Sequence, residues 1–232
     1  MRVVAVIPAY QAGRTVGEIV AELIRLWPDP MEPRVIVVDD GSSDGTAERA
    51  GGAGAQVIRH PKNRGKGAAL WTGLQAASEV GAEAMVSVDA DGQHPASEAA
   101  RLANAQVPAT ALVLGVRDLD RDGAPRASRF SNRFSNRFVS WFSGQRIYDT
   151  QCGLRRYPVH GTLELGVRAT GFDFEAEALV RAGRAGWQIV QVPVRVVYPP
   201  PEIRVSHFRV VRDPARIVFR LLQTVATTSG SK

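Results

Sequence analysis

Short runs of nearly continuous apolar residues recur through the first half of the chain: VVAVIPA (3–9), RVIVVDD (34–40), AQVIRH (55–60), AMVSVDA (84–90) and ALVLGVR (111–117). Runs of this length without polar alternation predict strands covered on both faces. The stretches between them, 16–27, 65–79 and 95–104, read as helices. Strand and helix in turn predict an α/β fold whose mainly parallel sheet is flanked by helices. Ligands of such sheets sit beyond the carboxyl ends of the strands. Three predicted strands end on chemically pointed residues: Pro8-Ala9-Tyr10, Asp39-Asp40-Gly41-Ser42-Ser43 and Asp89-Ala90-Asp91. Those ends are expected to converge on one crevice.

With 232 residues, 44% of them hydrophobic, the chain suffices for one sizeable core. The prolines of PPPE (199–202) bar helix and central strand alike. The expected division is therefore a domain over 1–198, then a linker and a C-terminal amphipathic helix over 199–232. A single cysteine, Cys152, excludes an intramolecular disulfide framework and a cysteine-only metal cluster, and simple burial is its expected state. No stretch reaches the 18 or so apolar residues of a membrane span, and MRVVAVIPAYQ lacks the cleavage site of a signal peptide. The expected location is cytoplasmic.

Charge adds a partner. The net charge is +6, and Ala124 to Tyr148 hold five arginines and no acid, which calls for something anionic: nucleic acid, a lipid headgroup surface or a phosphorylated substrate. Within 126–144, Arg129, Arg133 and Arg137 recur every four residues, and so do Phe130, Phe134 and Phe138. On a helix these form a basic and an aromatic stripe. Such a helix either buries Phe in the core with Arg in water, or lies in a membrane interface. Arg212, Arg216 and Arg220, beside Ile217, Phe219, Leu221 and Leu222, predict a second interfacial helix.

The acids of SVDADGQHP (87–95) have a plain reading, since acids are common in loops and cap helices. Strand alternation, however, puts Asp89 and Asp91 on one side of the chain, with Gln93 two residues further on. Three oxygen-bearing side chains then face one point. Hard oxygen donors suit Mg²⁺ or Mn²⁺, a partly hydrated ion completed by substrate phosphates. Asp39 and Asp40 precede a turn with capping residues, and one of them fits a ribose or base better than a second metal. Lys66, at a Gly-flanked helix start, either approaches a nucleotide or is a solvated surface lysine.

Taken together, VIPAYQAGRTV, VVDDGSSDGT, NRGKGAAL, DADGQHP and DTQCGLRRY resemble, in order and spacing, the family-2 glycosyltransferases of the GT-A fold, and among them the polyprenyl-phosphate glycosyltransferases such as dolichyl-phosphate mannose synthases. The match runs from about Val3 to Tyr198. It implies a nucleotide-sugar donor, a divalent metal, inversion at the anomeric carbon and a dolichyl or undecaprenyl phosphate acceptor at the cytoplasmic membrane face, to which the protein binds peripherally. By position, Pro8, Ala9, Tyr10 and Asp39 match residues holding the nucleoside; Asp89, with Ala90, falls where the family contacts ribose or metal. Asp91 and Gln93 match metal ligands. Arg117 matches the arginine that binds acceptor phosphate, with Arg129 or Arg133 beside it, and Ser206, His207 and Arg209 match a segment closing over the diphosphate. The form of DTQCGLRRY favours UDP-glucose over GDP-mannose.

An acceptor phosphate is already ionised near neutral pH, so no base is needed. The remaining task is electrostatic, with Arg117 and Asp91 as the catalytic pair. Asp173 and Glu175, in GFDFEAE, fall where alcohol-using relatives keep a base and are expected to orient sugar hydroxyls. The missing QxxRW signature argues against chain polymerisation. The runner-up is a soluble transferase with a hydroxyl acceptor and Asp173 as base. A nucleic-acid module has no use for the metal triad, and no nucleic acid is expected.

Overall fold

The computed structural model describes residues 1–124 and 126–197. Among the described residues seven strands and seven helices follow one another: β1 Val3–Ala9, α1 Val16–Leu26, β2 Val35–Asp39, α2 Thr46–Gly52, β3 Gln56–Arg59, α3 Lys66–Glu79, β4 Ala84–Ser87, α4 Ala96–Ala103, β5 Leu112–Arg117, α5 Arg126–Ser143, β6 Arg155–Pro158, α6 Val159–Glu164, α7 Asp173–Arg184 and β7 Ile189–Val194. All form one sheet, ordered β3-β2-β1-β4-β6-β5-β7. The β1–β2, β1–β4, β2–β3 and β5–β7 pairs are parallel, and β6 runs antiparallel to both β4 and β5. The five expected strands are all present. The linker, the second interfacial helix and the Ser206, His207 and Arg209 assignments lie outside the described residues.

The continuous apolar strands are explained by helices on both faces of the sheet. Val4, Val6, Ile36, Val38 and Met85 point into one core with Leu70, Leu74, Phe174 and Leu179. Val3, Ala5, Ile7, Val35 and Val37 point into the other with Val16, Val20, Leu23 and Leu102. Alternate residues of one strand therefore serve opposite cores. Trp27, just past α1, is buried and donates its indole N–H to the Val3 carbonyl at 2.8 Å.

One fully buried cation organises the centre of the sheet. Arg155 in β6 is 0% exposed and donates to three main-chain carbonyls: Cys152 at 2.9 Å, Glu175 at 2.7 Å and Thr150 at 2.7 Å. It thereby ties the 149–154 loop to the first turn of α7. Its neighbour Arg156, also buried, meets the carbonyls of Leu102, Ala103 and Ala105 at the end of α4, where the helix dipole favours a cation.

Helix α5 reverses the usual pattern. Its buried positions are Ser131, Asn132, Ser135, Val139 and Ser143, and it packs on α7. Gly183 makes this close, since a Cβ there would lie 2.3 Å from the Ser143 carbonyl oxygen. Phe130 (75% exposed), Phe134 (44%) and Trp141 (76%) face outward, as do Arg133 and Arg137. Of the two readings of this helix, the one with phenylalanines in the core does not hold for Phe130 and Phe134: small side chains let α5 and α7 approach, and these two aromatics are turned to the surface. No helix among the described residues is long and apolar enough to cross a membrane.

Arg155→Ala leaves three buried carbonyls without their donor, at about 1 kcal/mol or more each. It should lower unfolding free energy by at least about 3 kcal/mol in chemical denaturation; a loss under about 1 kcal/mol would show that the cation does not hold the loop.

Candidate active site

Parallel pairing brings the carboxyl ends of β2, β1 and β4 to one edge of the sheet. Pro8 and Ala9 lie in the last turn of the β1 register, opposite Val38 and Asp39, and Tyr10 follows, partly exposed. The three strand ends therefore share one edge of the sheet, but β4 ends before its acids. β4 stops at Ser87, and Asp89, Ala90, Asp91 and Gln93 lie in the connection to α4. Strand alternation consequently does not align the acids. A turn aligns them instead: Asp91 Oδ1 accepts the Gln93 N–H at 2.9 Å, and Thr15 donates to the Ala90 carbonyl at 2.6 Å, pinning the turn to the start of α1.

Asp89 is held from two sides. Its Oδ1 is 2.7 Å from the Lys66 ammonium, and its Oδ2 rests on Gly153, where a Cβ would come within 2.2 Å. Lys66 also donates to Glu175 of α7, at 3.2 and 3.3 Å to its two oxygens. Burial alone pushes the ammonium pKa down, but Asp89 and Glu175 outweigh it and hold Lys66 above the ordinary lysine value. Burial likewise pushes Asp89 up, and Lys66 overrides this to bring it below the usual carboxylate range. The reading of Lys66 as a solvated surface lysine is therefore corrected.

The glycines of NRGKGAAL explain how Lys66 reaches this point. Gly65 has φ +99° and its Cβ would lie 2.5 Å from the Thr170 carbonyl; a Cβ on Gly67 would lie 2.7 Å from that of Ala169. Only glycine admits both the left-handed turn and this approach. The start of α3 thus sits on the 169–171 segment, with the Ala68 N–H on the Thr170 carbonyl at 3.0 Å.

Asp91 has no ion-pair partner among the described residues. Burial, then the charge of Asp89, raise its pKa to about 6. A pair of crowded hard-oxygen donors, one of them paired with no side-chain cation, fits a divalent ion. Among the described residues no three His, Cys, Asp or Glu side chains form a group that could hold a metal ion, so the turn offers such an ion the Asp89 and Asp91 carboxylates. His94 is buried beside Cys152. Burial lowers its pKa to about 4, and its Nε2 lies 3.5 Å from the Cys152 sulfur, whose thiol burial pushes up to about 12.

The two acids at the end of β2 separate cleanly. Asp40 accepts from His60 Nδ1 (2.6 Å) and from the N–H groups of Arg64 (2.9 Å) and Gly65 (2.7 Å); it organises the approach to α3. Asp39 caps the Ser42 N–H at 3.0 Å. Its Oδ2 lacks a well-directed hydrogen bond yet lies 3.3 Å from Arg59 Nε; the ion pair is the meaningful contact, since charge attraction tolerates poor alignment. A cleft of about 360 Å³ opens beside them, lined by Gly41, Ser42, Arg59, His60 and Pro61.

A second cleft, about 390 Å³, gathers Arg117, Arg129 and Arg133 with Asp120, Asn132 and Tyr148. Arg117 is clamped by Asp149, with Nε on Oδ2 at 2.7 Å and Nη2 on Oδ1 at 3.0 Å. Arg129 and Arg133 both lean on Asp120, at 2.6 and 3.6 Å. Sequence reasoning missed Asp120 and Asp149 as partners, and also Asn132, which is buried with its Oδ1 unpaired among the described residues. Asn136 is spent on Tyr148 and Thr150. Asp173 is buried, and its Oδ1 accepts the Gly171 N–H at 3.1 Å.

Residues 4–162 match the family model for glycosyl transferase family 2. The UDP-N-acetylglucosamine–dolichyl-phosphate N-acetylglucosaminyltransferase of Methanococcus voltae is 27% identical over 240 residues, covering 94% of this chain and 93% of that protein. The undecaprenyl-phosphate mannosyltransferase of Micrococcus luteus is 29% identical over 213 residues, covering 85% and 84%. Glucosyl-3-phosphoglycerate synthase of Mycobacterium tuberculosis, crystallised with Mg²⁺ and UDP, shares the GT-A fold at TM-score 0.69 and 22% identity, covering 99% of this chain and 79% of its own.

A folded-state pKa of about 6 for Asp91, against 3.8 ordinarily, means that the folded protein holds this proton more tightly than the unfolded chain. The ionised carboxylate then subtracts from stability above about pH 6, and the penalty fades towards pH 4. Asp91→Asn should raise Tm at about pH 8 in chelator by about 2 to 4 °C and gain little near pH 4. An unchanged or lower Tm at pH 8 would remove Asp91 from the crowded pair.

Proposed function

The chain belongs to glycosyl transferase family 2, and from that premise we propose that it transfers a hexose, with inversion, from a nucleotide sugar to a polyprenyl phosphate at a membrane surface. UDP-glucose or GDP-mannose is the donor in this reading, and the acceptor is a dolichyl or undecaprenyl phosphate. Helix α5 carries the proposal. Its arginines line a cleft, while Phe130, Phe134 and Trp141 stand exposed beside Arg133 and Arg137. Exposed aromatics with cations are the chemistry of a lipid interface. The names of the Methanococcus and Micrococcus relatives point to the same acceptor class.

In this reading Pro8, Ala9, Tyr10 and Asp39 border the nucleoside, next to Arg59. Asp91, with Asp89 and the Gln93 amide, holds Mg²⁺ or Mn²⁺. The metal supplies charge neutralisation for the departing nucleoside diphosphate. Lys66 adds a second positive charge on the same side. Across the site, Arg117 orients the acceptor phosphate while Asp149 fixes its guanidinium, and Arg129 and Arg133 exchange Asp120 for the phosphate. The acceptor arrives ionised, so no side chain accepts a proton. Asp173 suits that role poorly because it is buried and already caps Gly171. The protein works from the cytoplasmic face, bound peripherally.

Arg133 is the safest probe, since its side chain is 76% exposed, whereas removing Arg117 strands the buried Asp149. Arg133→Ala should lower kcat/KM for a short-chain polyprenyl phosphate about tenfold through KM, as loss of a charge-assisted contact implies, with donor Kd by calorimetry unchanged. Asp173→Asn should cost far less than the roughly 10²-fold or greater loss of a general base. An innocuous Arg133→Ala together with an inactive, donor-binding Asp173→Asn would favour a hydroxyl acceptor.

A further inference from the structure

We propose that Lys66 is the resident counter-cation of the acidic turn, so that a divalent ion gains Asp89 only when a nucleoside diphosphate draws the ammonium away. Metal and nucleotide then bind as a mutually dependent pair. The inference rests on the reading of Asp89 and Asp91 given above and adds a rule of binding order to it.

Three observations carry it. The Lys66 ammonium already occupies Asp89 Oδ1 at 2.7 Å, the carboxylate a metal would have to share, and two cations at one carboxylate oppose each other. The side chain is delivered there by a rigid device: Gly65 and Gly67 seat the start of α3 on the 169–171 segment at distances that no other residue allows, so the ammonium has little room to leave by backbone motion. Glu175, 3.2 Å from the same nitrogen and buried, gives Lys66 a second carboxylate. Releasing Asp89 therefore does not strand a buried cation. Asp91, without an ion pair among the described residues, remains as the first point of entry for the metal, while Asp89 completes the grip only after Lys66 has turned towards Glu175 and an incoming diphosphate.

The two sides of this contest predict opposite effects. Lys66→Met vacates Asp89, whereas Glu175→Gln removes the alternative seat and leaves Lys66 on Asp89. Mn²⁺ binding to the full chain is measured by calorimetry and by the electron paramagnetic resonance of free Mn²⁺, with metal alone and then with UDP or GDP present. In the wild type either nucleotide that binds should tighten Mn²⁺ strongly. Lys66→Met should tighten Mn²⁺ alone about tenfold and shrink the nucleotide effect; Glu175→Gln should weaken Mn²⁺ alone. Equal Mn²⁺ affinity in wild type and both variants, with binding lost in Asp91→Ala, would overturn the inference and leave the metal site standing. Mn²⁺ binding that survives Asp91→Ala would overturn both. Should Lys66→Met fail to fold, a Glu175→Gln protein that binds Mn²⁺ as tightly as wild type is by itself contrary.

Discussion

One buried ammonium joins the parts of this molecule that must act together. Lys66 opens α3, Asp89 follows β4, and Glu175 lies in the first turn of α7, so a single charge links three elements that meet at one edge of the sheet. A buried lysine is tolerable only with partners, and it here has two. The arrangement also sets what the backbone around it must be. Gly65 and Gly67 admit the 169–171 segment, Gly153 admits the Asp89 carboxylate, and Arg155 fixes both Gly153's loop and the Glu175 carbonyl. Glycines that look like loop filler in the sequence are the clearances of the charged centre.

The second constraint is the inverted amphipathicity of α5. In most surface helices burial of apolar side chains supplies the stabilisation. Here serines and an asparagine face inward, and α5 instead gains close backbone approach to α7. Phe130, Phe134 and Trp141 remain for a surface outside the molecule. In the proposed reading, one helix then offers arginines to an anionic head and aromatics to an apolar chain.

Much of this was legible in the order of residues. The first five strands follow from apolar runs, because a parallel sheet covered on both faces leaves little room for alternation. β6 did not, since its four residues begin with Arg155 and Arg156, which read as surface and are buried by carbonyls that only the fold supplies. Helix α7 was hidden similarly by Asp173, Glu175 and Glu177, all buried; Glu177 is satisfied by Arg181 and by the N–H groups of Arg168 and Ala169. The acids at 89 and 91 were recognisable as a site, but the mechanism of their alignment was not, because strand period says nothing about where a strand stops. The partners of Arg117 and of Arg129, Asp149 and Asp120, come from distant positions without a shared motif, and no local pattern announces them.

Transfer to a lipid phosphate is decided by the product itself. The purified chain is incubated with a panel of UDP- and GDP-hexoses, Mn²⁺ and a short-chain polyprenyl phosphate in detergent or vesicles, beside a water-soluble hydroxyl acceptor such as 3-phosphoglycerate. Lipid products are followed by mass spectrometry and their anomeric configuration by NMR. The expected result is a hexosyl polyprenyl phosphate of inverted configuration and no glycosylated hydroxyl acceptor. Transfer to the soluble acceptor, with the lipid phosphate left unmodified, would contradict it.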